Sequence, residues 1–199
     1  MSFDKEPNAM KKFAAAGLAV FAFASPLSAN EYEPAMQAFY ESEIAGWMEN
    51  SVIVDAINSQ NTTTLAYDQS RIDAMDQAWR AEVGTEGAPT ITPVLTNAAS
   101  DHLRSLVEAS GGRITEIFIM DGVGLNVAAS STTSDYWQGD EAKFTETHGA
   151  GPGVVHFGDV EFDESSQSYQ GQISVTITDP STGKAIGAMT VGVDAESLL

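Results

Sequence analysis

The chain has 199 residues, enough for one domain with a real core, and carries 28 Asp and Glu against 9 Lys and Arg, a formal charge of −19. Such a surface repels phosphate backbones and anionic lipid heads, which argues against nucleic acid and membrane surfaces as partners. No cysteine is present, so thiol catalysis, thioether-linked haem and thiolate metal sites are excluded, and the core must hold without disulfides.

The first thirty residues read as an export address. Met10-Lys11-Lys12 is followed by an apolar run over 13–24 and then Ser25-Pro26-Leu27-Ser28-Ala29. A basic start, a short apolar stretch, a helix breaker and a small residue describe a secretory signal peptide. The run falls short of the ~20 apolar residues that span a bilayer. The expectation is cleavage after Ala29, with Met10 a rival to Met1 as the natural start, and a mature domain over 30–199 in the periplasm or outside the cell. Cleavage would leave 6 basic against 26 acidic residues and no stable insertion into the membrane.

Residues 33–60 then predict one long amphipathic helix, with Met36, Tyr40, Ile44, Trp47, Val54 and Ile57 near one stripe and Pro34 in its first turn. The polar run 58–64 is expected to end it. Ile72, Met75, Trp79 and Val83 mark a second helix, 84–93 a loop, and Leu103, Leu106 and Val107 a third helix over 96–109 capped by Gly111-Gly112. From Arg113 the period changes. Residues 114–120 and 125–130 flank Asp121-Gly122-Val123-Gly124 as a hairpin, and a polar insert over 131–153 contains a short helical stretch at 141–146. Strands follow at 154–157, at 172–178 and at 185–193, where Gly187 and Gly192 leave room for close packing. In the second of these, Ile173, Val175 and Ile177 alternate with Ser174, Thr176 and Thr178 as in a half-buried strand. Asp194 is set to cap a terminal turn. Helices first and consecutive strands after predict an α+β fold with an antiparallel sheet.

Three stretches carry a resemblance to a known family. The first is Ile117-Phe118-Ile119-Met120-Asp121-Gly122 followed by Leu125-Asn126-Val127-Ala128-Ala129-Ser130. The second is Thr133-Ser134-Asp135-Tyr136-Trp137-Gln138-Gly139-Asp140-Glu141-Ala142-Lys143-Phe144, and the third Gly183-Lys184-Ala185-Ile186-Gly187-Ala188-Met189-Thr190-Val191-Gly192-Val193-Asp194. In this order they resemble the single Cache family of extracytoplasmic sensor domains. The resemblance implies a long N-terminal helix and further helices packed on a PAS-like antiparallel β-sheet. It also implies a small organic ligand, such as a carboxylate, an amine or an amino acid, bound between the sheet and the polar insert. Carried over residue by residue, it points to Tyr136 and Trp137 as aromatic walls and to Asp121, Gln138, Asp140 and Lys143 as polar anchors. Most relatives continue into a membrane helix and a signalling domain, whereas this chain ends at Leu199, which reads as a free-standing member.

The residues themselves leave other roles open. Tyr136 and Trp137 could plug the core, Lys143 could be a solvated helix residue, and Asp121, Asp140 and Asp159 could cap turns or hold an ammonium group. Tyr67 and Tyr169 could close a pocket. His102, His148 and His156 lack a ligand spacing, no nucleophile, zinc, phosphate or calcium motif occurs, and the acidic pairs Asp140-Glu141 and Asp163-Glu164 do not by themselves make a catalytic pair. The expectation is therefore a binding module without catalysis or cofactor, its partners a small ligand and a membrane-bound sensor protein. A protein-interaction subunit that has lost its ligand is the alternative.

Overall fold

A computed structural model describes Met1 and residues 31–163 and 168–199. The expected leader over 1–29, apart from Met1, and Glu164 lie outside the described residues.

The helical part is more divided than the sequence pattern predicts. α1 covers Glu33–Phe39, continues through a π turn at Tyr40–Ile44 and a 3-10 turn at Ala45–Trp47, and stops. Asn50 then leaves the helical region, and its side-chain oxygen accepts from Val52 N, which caps a new helix, α2, over Ser51–Thr64. The apolar stripe runs on across this break, because Met36, Ile44, Ile53 and Ile57 all enter the same core. The polar run 58–64 does not end α2. Asn61 is buried and joins distant parts of the chain, its amide donating to Ile186 O at 2.8 Å and its oxygen accepting from Gly122 N at 2.8 Å. α3 covers Gln69–Glu82 with Asp68 as its cap. The predicted loop at 84–93 ends early, because a short α4, Ile91–Leu95, starts where the Glu82 carboxylate accepts from Thr90 and Ile91 N–H groups. α5 covers Ala98–Ala109 behind an Asn97 cap, and Gly111 and Gly112 take φ of 64° and 94° as the end of the helix requires.

The sheet holds β1 (Ile114–Met120), β2 (Asn126–Ala129), β3 (Val155–Phe157), β4 (Glu161–Asp163), β5 (Ser168–Thr178) and β6 (Ala185–Asp194). Its order is β2-β1-β6-β5-β3, all antiparallel, with β4 pairing the start of β5. The last strand is therefore central, between β1 and β5. Gly187 allows it in: a Cβ there would stand 2.1 Å from the backbone oxygen of Met120. The short β4 and the extension of β5 back to Ser168 are additions to the expected strands. The architecture is the α+β one the resemblance implies, an antiparallel sheet carrying N-terminal helices.

The two sides of the sheet differ in chemistry. Ile117, Ile119, Ile173, Val175, Ile177, Met189, Val191 and Val193 face α1, α2 and α5 in one aliphatic core. The other side carries Phe118, Met120, Ala129 and Ala188, together with Ser174, Thr176 and Thr190, and all of these are buried. The alternation in β5 predicts a solvent-facing polar side, and this is corrected by the fold: the insert 131–153 lies over it. Its short helix α6, Ala142–Thr145, and the 3-10 turn His148–Ala150 pack on β5 and β6, with Phe144 inserted against Phe118 and Met120. Ser174 and Thr190 then satisfy each other across the strands at 3.0 Å.

Candidate functional site

The insert is held in place by α3. One oxygen of Asp76 accepts the backbone N–H groups of Tyr136 and Trp137 at 2.9 and 3.1 Å, and the other pairs with Arg80 at 2.7 Å. Arg80 reaches on to Asp135 at 3.0 Å. One turn along, the buried Trp79 stacks on Tyr136 with centroids 5.1 Å apart and donates to Thr133 O at 2.9 Å. Burial alone would raise the Asp76 carboxyl, but the bonds from Arg80, Trp137 and Tyr136 outweigh it and hold that group below its ordinary range. Residues 136–138 also run beside the start of β2, with Asn126 N donating to Tyr136 O and Gln138 N to Gly124 O.

Between this tethered segment and the polar side of the sheet lies a cleft of about 380 Å³. Phe118 and Glu116 from β1 and Gln172 from β5 come from the sheet, Thr133, Asp135, Gln138 and Lys143 from the insert, and Val83 from the end of α3. Lys143 is the centre of its polar chemistry. Its side chain is only 16% exposed, its ammonium lies 5.5 Å over the Phe118 ring, and it meets Glu141 at 2.9 Å and Gln138 Oε1 at 3.2 Å. The amide of Gln138 in turn donates to Asp135. A trough of about 330 Å³ adjoins the cleft through Lys143 and Gln172 and adds Glu141, Asp159, Glu161 and Gln170. Carboxylates thus outnumber the single ammonium around this space.

The residues expected at the site divide. Gln138 and Lys143 line the cleft. Tyr136 is buried against Trp79 and faces a different cavity between the helices; burial, then the charges of Asp121 and Tyr67, push its hydroxyl up to about 12. Trp137 packs with the Leu125 cluster and donates from its indole to Val123 O at 2.9 Å, over Gly139, where a Cβ would stand 2.3 Å from that same indole nitrogen. Asp121 is fully buried in the β1–β2 turn, where it accepts from Val123 N, Leu125 N and Gln60 Nε2 at 2.9, 3.0 and 2.8 Å. Asp140 is exposed and lines neither the cleft nor the trough. Asp159 lines the trough, Tyr67 lines the inter-helical cavity, and Tyr169 stands exposed against Phe162 at the sheet edge. His148 stacks on Phe144, and burial pulls it below the ordinary histidine range; His102 meets Asn50 at 3.1 Å.

Glu116, Phe118 and Gln172 were not legible as cleft residues. The only signal was polarity, since Glu116 and Gln172 mark a polar side of their strands, and alternation does not say whether water or a polar segment covers it. Among the described residues there is no group of potential metal ligands, and no helix is long and apolar enough to cross a membrane.

No family model matches the chain, and no curated protein does. Solved structures do. The sensor domain of the histidine kinase DctB from V. cholerae is 15% identical, with a TM-score of 0.38 over 85% of this chain and 57% of that one. The ligand-binding domain of the Campylobacter jejuni chemoreceptor Tlp3, in complex with L-valine, is 14% identical with a TM-score of 0.40 over 82% of this chain and 64% of that one. An extracellular ligand binding receptor from Desulfohalobium retbaense is 16% identical with a TM-score of 0.37 over 74% of this chain and 25% of its own. This chain spans less than two thirds of the length of each.

Proposed function

We propose that this chain is an extracytoplasmic, non-catalytic sensor module that binds a small organic molecule between its sheet and its insert. One observation carries the reading: a polar cleft, roofed by a tethered segment, sits over a side of the sheet that the fold has gone out of its way to cover. Binding cavities pair apolar walls with a few directed polar groups, and Phe118 with Lys143, Gln138, Glu116 and Gln172 supplies both. The charge balance narrows the ligand to an amine or an amino acid. An ammonium group meets two carboxylates in the cleft, Glu116, which accepts from Gln170, and Asp135, which also serves Arg80 and Gln138, whereas a carboxylate has the single cation Lys143, which is paired with Glu141. Occupancy would be passed to a membrane-bound sensor protein, and the leader over 1–29 would bring the domain to the periplasm.

A thermal-shift screen of amines and amino acids, followed by calorimetry, tests this. A ligand found this way should bind roughly tenfold more weakly to Glu116→Gln, the scale of a hydrogen bond to a charged group. If the ligand carries a carboxylate, Lys143→Ala should weaken it to a similar degree. No stabilising compound, or one indifferent to both substitutions, would sink the assignment.

A further inference from the structure

A larger cavity lies elsewhere. A groove of about 1070 Å³ opens between α2, α3 and α4, on the far side of the tethered segment from the cleft. α2 and α3 are joined by only four residues, yet they present small side chains to the groove, Ala56 and Ser59 on one wall and Ala74 and Ala78 on the other, so space is left where helices would otherwise interlock. Met75 and Val127 give it apolar surface.

Two polar groups in this groove lack the partners their kind takes elsewhere in the molecule. Tyr136 is 6% exposed and its ring is fixed on Trp79, but its hydroxyl hydrogen-bonds no described residue. Nor is that oxygen sealed in protein, because the only fully buried unpartnered side-chain oxygens among the described residues are those of Asn126 and Thr176. It therefore meets open space in the groove that Tyr136 lines. Arg71 is the second. Arg80, Arg104 and Arg113 each pair with a carboxylate, whereas among the described residues Arg71 pairs with none. Its guanidinium instead lies 4.1 Å over the Tyr67 ring and donates to the Tyr67 hydroxyl at 3.3 Å, which holds it at the groove wall. The groove also escapes the acidity of the rest of the chain. Against a formal charge of −19, its lining holds one carboxylate, Asp55, and one guanidinium.

We infer that this groove is a second binding site, for a small organic carboxylate with an aromatic or aliphatic body. The carboxylate pairs with Arg71, the body lies over Met75 and Val127, and a polar atom at the far end of the ligand meets the Tyr136 hydroxyl. This site is separate from the cleft, and the inference does not rest on which compound the cleft binds.

The probe is 4-hydroxyphenylacetate, titrated into the purified protein by calorimetry, with 4-hydroxyphenylacetamide as the uncharged control. Saturable binding of the acid is expected, with the amide weaker by roughly tenfold or more. Arg71→Gln should weaken the acid about as much and leave the amide unchanged. Tyr136→Phe, which keeps the ring on Trp79, should weaken both by several-fold, and Lys143→Ala should change neither. The inference is overturned by no saturable binding, by an amide that binds as well as the acid, by an Arg71→Gln variant that binds as the wild type, or by loss of binding in Lys143→Ala, which would put the probe in the cleft.

Discussion

The two sides of this one sheet are built on different terms. On the side under α1, α2 and α5 the sheet presents aliphatic side chains, and these pack with apolar residues of the helices in one core. The side under the insert is equally dry at Ser174, Thr176 and Thr190 but polar, and it is covered by a segment with little regular structure that α3 holds through a handful of directed bonds. The first side supplies stability through area. The second supplies a cleft at the cost of a cover that depends on a few atoms.

This contrast can be broken by substitution. Trp79→Ala should have the largest effect, about 3 to 5 kcal/mol by urea unfolding, because a fully buried indole is lost together with its stack on Tyr136 and its bond to Thr133. Ile173→Ala, on the aliphatic side, should cost about 2 to 5 kcal/mol and lower stability without altering ligand affinity at the cleft. If Trp79→Ala leaves the cleft as competent as Ile173→Ala does, the cover does not depend on α3.

Asp76→Asn should cost about 1 to 3 kcal/mol, since the carboxylate serves two backbone N–H groups and Arg80. Its pH signature follows from the direction of the shift. The folded carboxyl lies below the ordinary value of 3.8, so its contribution is fully present above that value and is lost as pH falls through the depressed one. Urea midpoints measured downward from pH 5 should therefore fall more steeply below about pH 4 in the wild type than in Asp76→Asn. Parallel curves would remove Asp76 from the account. The smallest effect has the opposite sign. The Thr176 hydroxyl is buried without a partner among the described residues, so Thr176→Val should be neutral or should stabilise by up to about 1 kcal/mol in the same assay.

What could be read from the chain follows the range of the interactions. β1, the Gly111-Gly112 cap and the Asp194 cap were legible, because each is decided by residues within a few positions of one another. The break between α1 and α2 was not, because Met36 to Ile57 keep one stripe across it and only the cap geometry of Asn50 shows the stop. The polar run 58–64 reads as a helix end because the partners of its buried Asn61, Ile186 O and Gly122 N, lie 125 and 61 positions away. Ser174 and Thr176 read as solvent-facing because alternation distinguishes polar from apolar sides but not water from a polar cover. The site shows the same division. Gln138 and Lys143 lie within one short segment and were found together, whereas Glu116 and Gln172 are adjacent only through the pairing of β1, β6 and β5.

The segment from Asp135 to Gln138 is a party wall. Asp135 and Gln138 look into the cleft and Tyr136 into the groove, while Asp76 and Arg80 hold all of it from one helix. An occupant that shifts this wall from one side changes the shape offered on the other, and thermodynamic linkage then requires the effect to be mutual. The factor by which a groove occupant alters affinity in the cleft must equal the factor by which a cleft occupant alters affinity in the groove. A domain of this size would then read a combination of two compounds rather than the concentration of one.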